Sequence, residues 1–155
     1  TLRSLDDFQS ILQPEERVMG LDLGDKRIGI SLSDGRRKIA SPLKTLERAK
    51  FRSDVNALIN LVEEYEVAGL IVGMPYNMNG TEGERCHITR QFVNNLLVLY
   101  EIPMAFWDER LSTKAVTDVM LSGDLSRKRR GQLVDKMAAS YILQGALDYF
   151  SLREE

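Results

Sequence analysis

Three carboxylates draw attention because the residues around them give no ordinary reason for a charge. Asp22 lies inside the apolar run from Arg17 to Gly24, flanked by Leu21 and Leu23, where burying an unpartnered acid is costly. Strand alternation puts Gly20, Asp22 and Gly24 on one face, so a cation or a phosphate can come close to the carboxylate. An Asp satisfied by the amides of a following turn is the plainer reading. Asp135 is placed by helical geometry: Ala138, Ala139, Ile142, Ala146 and Tyr149 all lie within about 60° of it at 100° per residue. It therefore sits on the small-residue face that should pack on a sheet, as either a ligand or the partner of a buried Arg or Lys. Asp108 and Glu109 follow the short apolar stretch Met104 to Trp107, at the end of a strand where ligands gather in open sheets with helical crossovers. Parity gives Asp108 the face of Met104 and Phe106. Acids here also serve as helix N-terminal residues favoured by the macrodipole, with Ser112 and Thr113 as caps.

Taken together the acids imply a metal. If Asp22, Asp108 and Asp135 converge within about 5 Å, with Glu109 at the edge, each pair repels by roughly 3 kcal/mol at an effective dielectric near 20. A cation would relieve that repulsion, and carboxylates without His or Cys select magnesium or manganese. Two such ions about 4 Å apart are the usual apparatus for in-line displacement at a phosphodiester. The run Arg127, Lys128, Arg129 and Arg130, read as a loop just before the helix of Asp135, could hold a phosphate backbone. Arg36, Arg37 and Lys38 form a smaller second cluster.

The elements that must position these groups follow from periodicity. Leu2, Leu5, Phe8, Ile11 and Leu12 keep a helical spacing that stops at Pro14, so residues 1–16 read as a docking segment before a domain at 17–155. Arg17 to Gly24 and Ile28 to Leu32, joined at Gly24-Asp25-Lys26, predict a hairpin. A third strand, Ile39 to Leu46, carries Pro42, the mark of a sheet edge. A helix from Ser53 to about Tyr65, a strand at Gly69 to Gly73, a loop from Met74 to Gly83 and a helix from about Glu84 to Tyr100 follow. A strand at Met104 to Trp107 and helices at Ser112 to about Leu121 and about Gln132 to Phe150 complete the series. The order predicts an α/β fold, a mixed five-stranded sheet with helices on its faces.

Composition narrows the class. In 155 residues, 43% hydrophobic and 28% charged, one globular domain is expected. Lys and Arg total 21 against 23 Asp and Glu, a net charge of −2, so any nucleic-acid site is a local patch. Cys86 and His87 are the lone cysteine and histidine, too few for a zinc cluster or an internal disulfide. No apolar stretch approaches a membrane span. The acids Asp6, Asp7, Glu15 and Glu16 argue against a secretory signal, and a cytoplasmic protein with no membrane partner is expected.

Four segments carry a more specific message: Gly20-Leu21-Asp22-Leu23-Gly24-Asp25-Lys26-Arg27-Ile28-Gly29; Gly73-Met74-Pro75 with Asn77 to Gly83; Trp107-Asp108-Glu109-Arg110-Leu111-Ser112-Thr113; and Asp135-Lys136-Met137-Ala138-Ala139 with Ile142-Leu143-Gln144. In this order and spacing the chain resembles the YqgF family, the Holliday-junction-resolvase-like proteins also called pre-16S rRNA nucleases. The resemblance implies a ribonuclease H-like fold and a metal-dependent endonuclease maturing the 5′ end of precursor 16S rRNA in the cytoplasm. The RNA or the ribosomal subunit would be its partner. It places the family's acids at Asp22, Asp108 and Asp135, with Glu109 a participant. Arg110, Arg127, Lys128, Arg129 and Arg130 are the candidate substrate contacts. Met74 and Asn79 stand where Leu and Asp are more usual, which bears on loop contacts rather than on the acids.

Two other classes compete. An Asp on a first hairpin among glycines also fits the phosphate loop of actin-like and sugar kinases, but those clamp ATP between two such domains and 155 residues supply one. A non-catalytic module holding RNA or a transcription complex would keep the acids for structure alone. Within the enzyme reading, cleavage of a four-way DNA junction is the alternative to rRNA processing; it calls for a two-fold dimer, for which the sequence marks no surface.

Overall fold

The computed structural model describes residues 1–111 and 127–154. Five strands form one sheet in the order β3-β2-β1-β4-β5. β1 (Arg17–Leu23), β2 (Arg27–Ser33) and β3 (Ala40–Glu47) are an antiparallel meander. β4 (Val67–Met74) runs parallel to β1, and β5 (Met104–Asp108) parallel to β4. The central strands are apolar on both faces because both are covered. β3 is largely exposed and tolerates Pro42 as an edge strand does.

Helices α2 (Phe51–Glu64) and α3 (Glu84–Leu99) cover one face, where Val55, Leu58, Val93 and Leu96 meet Met19, Leu21, Ile28, Ile30 and Val72. Helix α4 (Arg127–Glu154) covers the other, with Ile142, Leu143, Ala146 and Leu147 on Val18, Ile71 and Ala105. The short helix α1 (Leu5–Ile11) closes this second layer. Its Phe8 is fully buried and stacks on Phe150 with ring centres 6.1 Å apart, and Leu2 bridges to Met104.

The structure departs from the expected elements in instructive places. α4 starts at Arg127, so the basic run is the helix's first turn and not a preceding loop: Arg and Lys are good helix formers but show no apolar period. α2 starts at Phe51, with the Asp54 carboxylate accepting from the Ala49 amide at 3.0 Å. Gln144, on the side of the helix opposite Asp135, accepts from the Ala40 amide and donates to the Lys38 carbonyl, both at 2.9 Å, because α4 also crosses the start of β3. The second basic cluster is structural in part. Arg37 donates to the Gln13 and Glu16 carbonyls at 3.0 and 2.7 Å, and Lys38 reaches Ser151 and Glu154. The helix expected at Ser112 to Leu121 lies outside the described residues.

Candidate active site

Alternation along the strands decides which acids meet. Leu21 and Leu23 pack with Met104 and Phe106 in the core beneath α2 and α3, so Asp22 faces α4, whereas Asp108 continues the row of Met104 and Phe106 on the opposite face. The chain then tightens into a single 3-10 turn, Glu109–Leu111, which carries Glu109 back to the α4 side. There the carboxyls of Asp22 and Glu109 share a hydrogen bond. Gly73 makes room for it: a Cβ at this position would collide with Glu109 Oε1 and come within 2.5 Å of Ile142 Cδ1.

Asp135 reaches the same end of the sheet from α4. Gly29, paired with Asp22 across the β1–β2 ladder, lets the helix backbone press onto β2, since a Cβ there would strike the Asp135 carbonyl. The Asp135 carboxylate accepts from Arg27 Nε at 2.7 Å, each side chain about a quarter exposed (23% and 24%). The interior ion pair weighed for this helix is therefore present, and its cation comes from the hairpin. Asp108 is held apart by Arg110, whose Nη2 lies 2.6 Å from Oδ2 and whose Nε lies 3.0 Å from both carboxylate oxygens. The same guanidinium lies over Tyr76 and donates to the Met78 carbonyl at 3.2 Å.

The structure thus brings Asp22, Glu109 and Asp135 to one face and turns Asp108 away, so the inner and rim positions expected for Asp108 and Glu109 are exchanged. Arg85, in the first turn of α3, adds a cation: it pairs with Asp25 at 3.1 Å, donates to the Leu23 carbonyl at 3.4 Å and draws down both inner acids. Sequence reasoning missed Arg27 and Arg85, which become visible only once the hairpin and α3 are placed beside the acids.

Electrostatics record the crowding. Burial, then the charge of Asp22 and the hydrogen bond to it, push Glu109 up to about 8. Burial chiefly raises Asp22 as well, with Asp135 adding to the rise and the Glu109 hydrogen bond and Arg85 opposing it. Asp108 lies below the usual carboxylate range because Arg110 hydrogen-bonds to its charged form. The shared hydrogen bond raises Glu109 and lowers Asp22, so of the two it is Glu109 that keeps its proton more firmly and Asp22 that accepts. As the side chains stand, no group of three His, Cys, Asp or Glu among the described residues is close enough to enclose a metal ion. The donors nevertheless fit one: a hydrogen-bonded carboxyl pair and a third carboxylate on a guanidinium are hard oxygen groups already seeking positive charge, the kind magnesium and manganese take.

Without metal, stability should fall as pH rises from about 5 towards 8. Between Glu109's ordinary value and its folded one, the folded protein keeps a proton that the unfolded chain has released, so raising pH favours unfolding. Glu109 contributes at most about 1.4 kcal/mol per pH unit to this slope, or about 3–6 °C in Tm for a chain of this size. Thermal melts in EDTA at three pH values check this, and Glu109→Gln should flatten the trend; a rise in Tm over that window would contradict it.

The chain matches the model of the family described as "RuvX: Holliday junction resolvase" over residues 16–149. It is 50% identical over 145 residues to a protein of Ruegeria pomeroyi named "Putative pre-16S rRNA nuclease", covering 94% of each chain. A protein of the same name from Paramagnetospirillum magneticum is 53% identical over 137 residues, 88% of each. Among solved structures, T. thermophilus RuvC in complex with a Holliday junction substrate superposes with a TM-score of 0.55 at 13% identity, over 90% of this chain and 96% of that one. The yeast mitochondrial Holliday junction resolvase Ydc2 gives 0.50 at 15%, over 97% and 85%. These two likenesses bear on the fold, which is ribonuclease H-like. Matched by its family model across all four motifs and near half identical to relatives along almost its whole length, the chain belongs to the YqgF family, also named RuvX.

Proposed function

We propose that this protein is a metal-dependent endonuclease of the cytoplasm that cleaves phosphodiester bonds in precursor 16S rRNA at its 5′ end. The observation that carries the reading is the buried Asp22–Glu109 pair, sharing a hydrogen bond on the face to which α4 delivers Asp135. A structural acid pair gains nothing from such crowding, whereas a site for dications needs it. Asp22, Glu109 and Asp135 would hold magnesium or manganese, with Asp108 at the rim. When bound, the two ions supply the charge that polarises the scissile phosphate and eases deprotonation of the attacking water.

The chain's own residues do the remainder. Glu109 would give up the proton it holds towards Asp22 for the pair to serve as ligands. Arg27 fixes the orientation of Asp135 through the 2.7 Å bond. Arg85 keeps a positive charge beside the inner pair, where it offsets the phosphate's negative charge. Arg127, Lys128, Arg129 and Arg130, all on the first turn of α4, lie on the helix that carries Asp135 and take the substrate backbone; Arg110 serves the rim. The names of the relatives favour RNA, and the description of the matching family favours the second reading, cleavage of a DNA four-way junction.

Incubating the purified protein with precursor 16S rRNA and with a four-way junction, each with manganese or with EDTA, separates the readings. Manganese-dependent shortening of the RNA at its 5′ end supports the proposal, and symmetric nicking of the junction alone supports the second reading. Binding without cleavage of either substrate overturns both. The folded protein should also melt at higher temperature with manganese than with EDTA, since the ions bind a site that only folding assembles; Asp22→Asn should lose that shift.

A further inference from the structure

Beside the acids, on the outer edge of the sheet, β3 and the first turns of α4 enclose a groove of about 320 Å³ whose wall includes Lys44, Thr45, Arg129, Gln132 and Lys136. Three of these residues are cationic, and no acidic residue among the described ones lines the groove; Lys44, at the strand edge, also borders a pocket on the α2 side with Glu64. Glu47, one turn of strand away, is engaged by Gln132 Nε2 at 3.0 Å. The floor is fixed, because Thr45 Oγ1 donates to the Gln132 carbonyl at 2.7 Å and so pins α4 to the edge strand.

The groove and the acids share one row of the sheet. Thr45 pairs with Gly29, and Gly29 pairs with Asp22. Two strand spacings of about 4.8 Å therefore separate Thr45 from Asp22, a reach of about one to two phosphates along a single strand. α4 runs along the same path, with Gln132 over β3 and Asp135 over Gly29. A chain whose scissile phosphate sat at the acids would bring a flanking phosphate to the groove.

We infer that this groove binds the phosphodiester backbone of the substrate strand one or two nucleotides from the bond that is cut, with Lys44 and Lys136 as its charge contacts. Its two hydrogen-bonding side chains, Thr45 and Gln132, are already engaged with protein partners. The contact is therefore one of charge, with no base readout, and acts equally on all sequences. The inference rests on the nuclease reading for the position of the cut, but binding tests it independently of cleavage.

The test is affinity for a fluorescent single-stranded RNA of some twenty nucleotides, in EDTA, across a salt series, for wild type, K44Q/K136Q and the charge-keeping K44R/K136R. Loss of two backbone contacts should weaken binding about tenfold and lower the slope of log affinity against log salt by about 1.4. The arginine variant should behave as wild type, and all three should melt within a few degrees of one another. An RNA truncated to the nucleotides at the acids should bind wild type and K44Q/K136Q alike. Unchanged affinity and slope for K44Q/K136Q on the long RNA would overturn the groove while leaving the nuclease proposal intact. A lost slope in a protein that cuts nothing would uphold the groove and overturn the nuclease.

Discussion

Glu109→Gln is expected to reduce metal-dependent cleavage by about a thousandfold or more, whereas Asp108→Asn, one residue away, should cost less than about tenfold. The amide keeps the volume of Glu109 and can still donate to Asp22, so the fold stands; what is lost is a charged oxygen in the group that would hold the dication. Asp108 faces the other side of the sheet and is engaged by Arg110. Replacing it frees that arginine and leaves the Asp22–Glu109 pair in place. Rates under single-turnover conditions at saturating manganese compare the two directly. Equal losses would put both acids in the site, and a larger loss for Asp108→Asn would reverse the assignment of inner and rim positions.

Gly29→Ala should be among the most damaging small substitutions in the chain. The added Cβ would strike the backbone carbonyl of Asp135 and lie 3.0 Å from the Lys136 nitrogen, atoms that cannot turn aside as a flexible side chain can. Either α4 lifts from β2 or the hairpin bends. An overpacked contact of this kind costs about 1–3 kcal/mol, or roughly 3–10 °C in Tm for a protein of this length. Urea unfolding measures the loss, and manganese should protect the variant less than wild type because Asp135 moves with the helix. A wild-type midpoint would mean that the helix and strand are less closely pressed than the geometry requires.

Much of this architecture was legible in the chain. The hairpin, the edge strand with Pro42 and the inward aim of Asp135 all follow from local rules, because each depends on a period or a turn contained in a few residues. The choice between Asp108 and Glu109 did not. Parity correctly gave Asp108 the face of Met104 and Phe106, but that this face lies opposite Asp22 depends on which side of β1 meets which side of β5, a relation set by packing between strands with β4 between them. The 3-10 turn that returns Glu109 to the site follows a strand that ends without a glycine or proline, so no local signal marks it. The partners were equally hidden. Arg27 and Asp135 are 108 residues apart in sequence, and nothing in either segment names the other.

The topology also fixes when the site comes into being. By residue 111 the chain already contains the five strands of this sheet, with Asp22 on β1 and Glu109 just after β5, yet the layer that Val18, Ile71 and Ala105 form with Phe8 still lacks Ile142, Leu143, Ala146 and Leu147 of α4. Asp135 comes with that same helix. During synthesis, which proceeds from the N-terminus, the third carboxylate and the lid of the second core layer are therefore delivered in one late event. An unfinished chain is left with an exposed apolar sheet face and only two of the three acids, and a stop codon anywhere within α4 before Asp135 should yield a product that lacks the third carboxylate and is prone to aggregate.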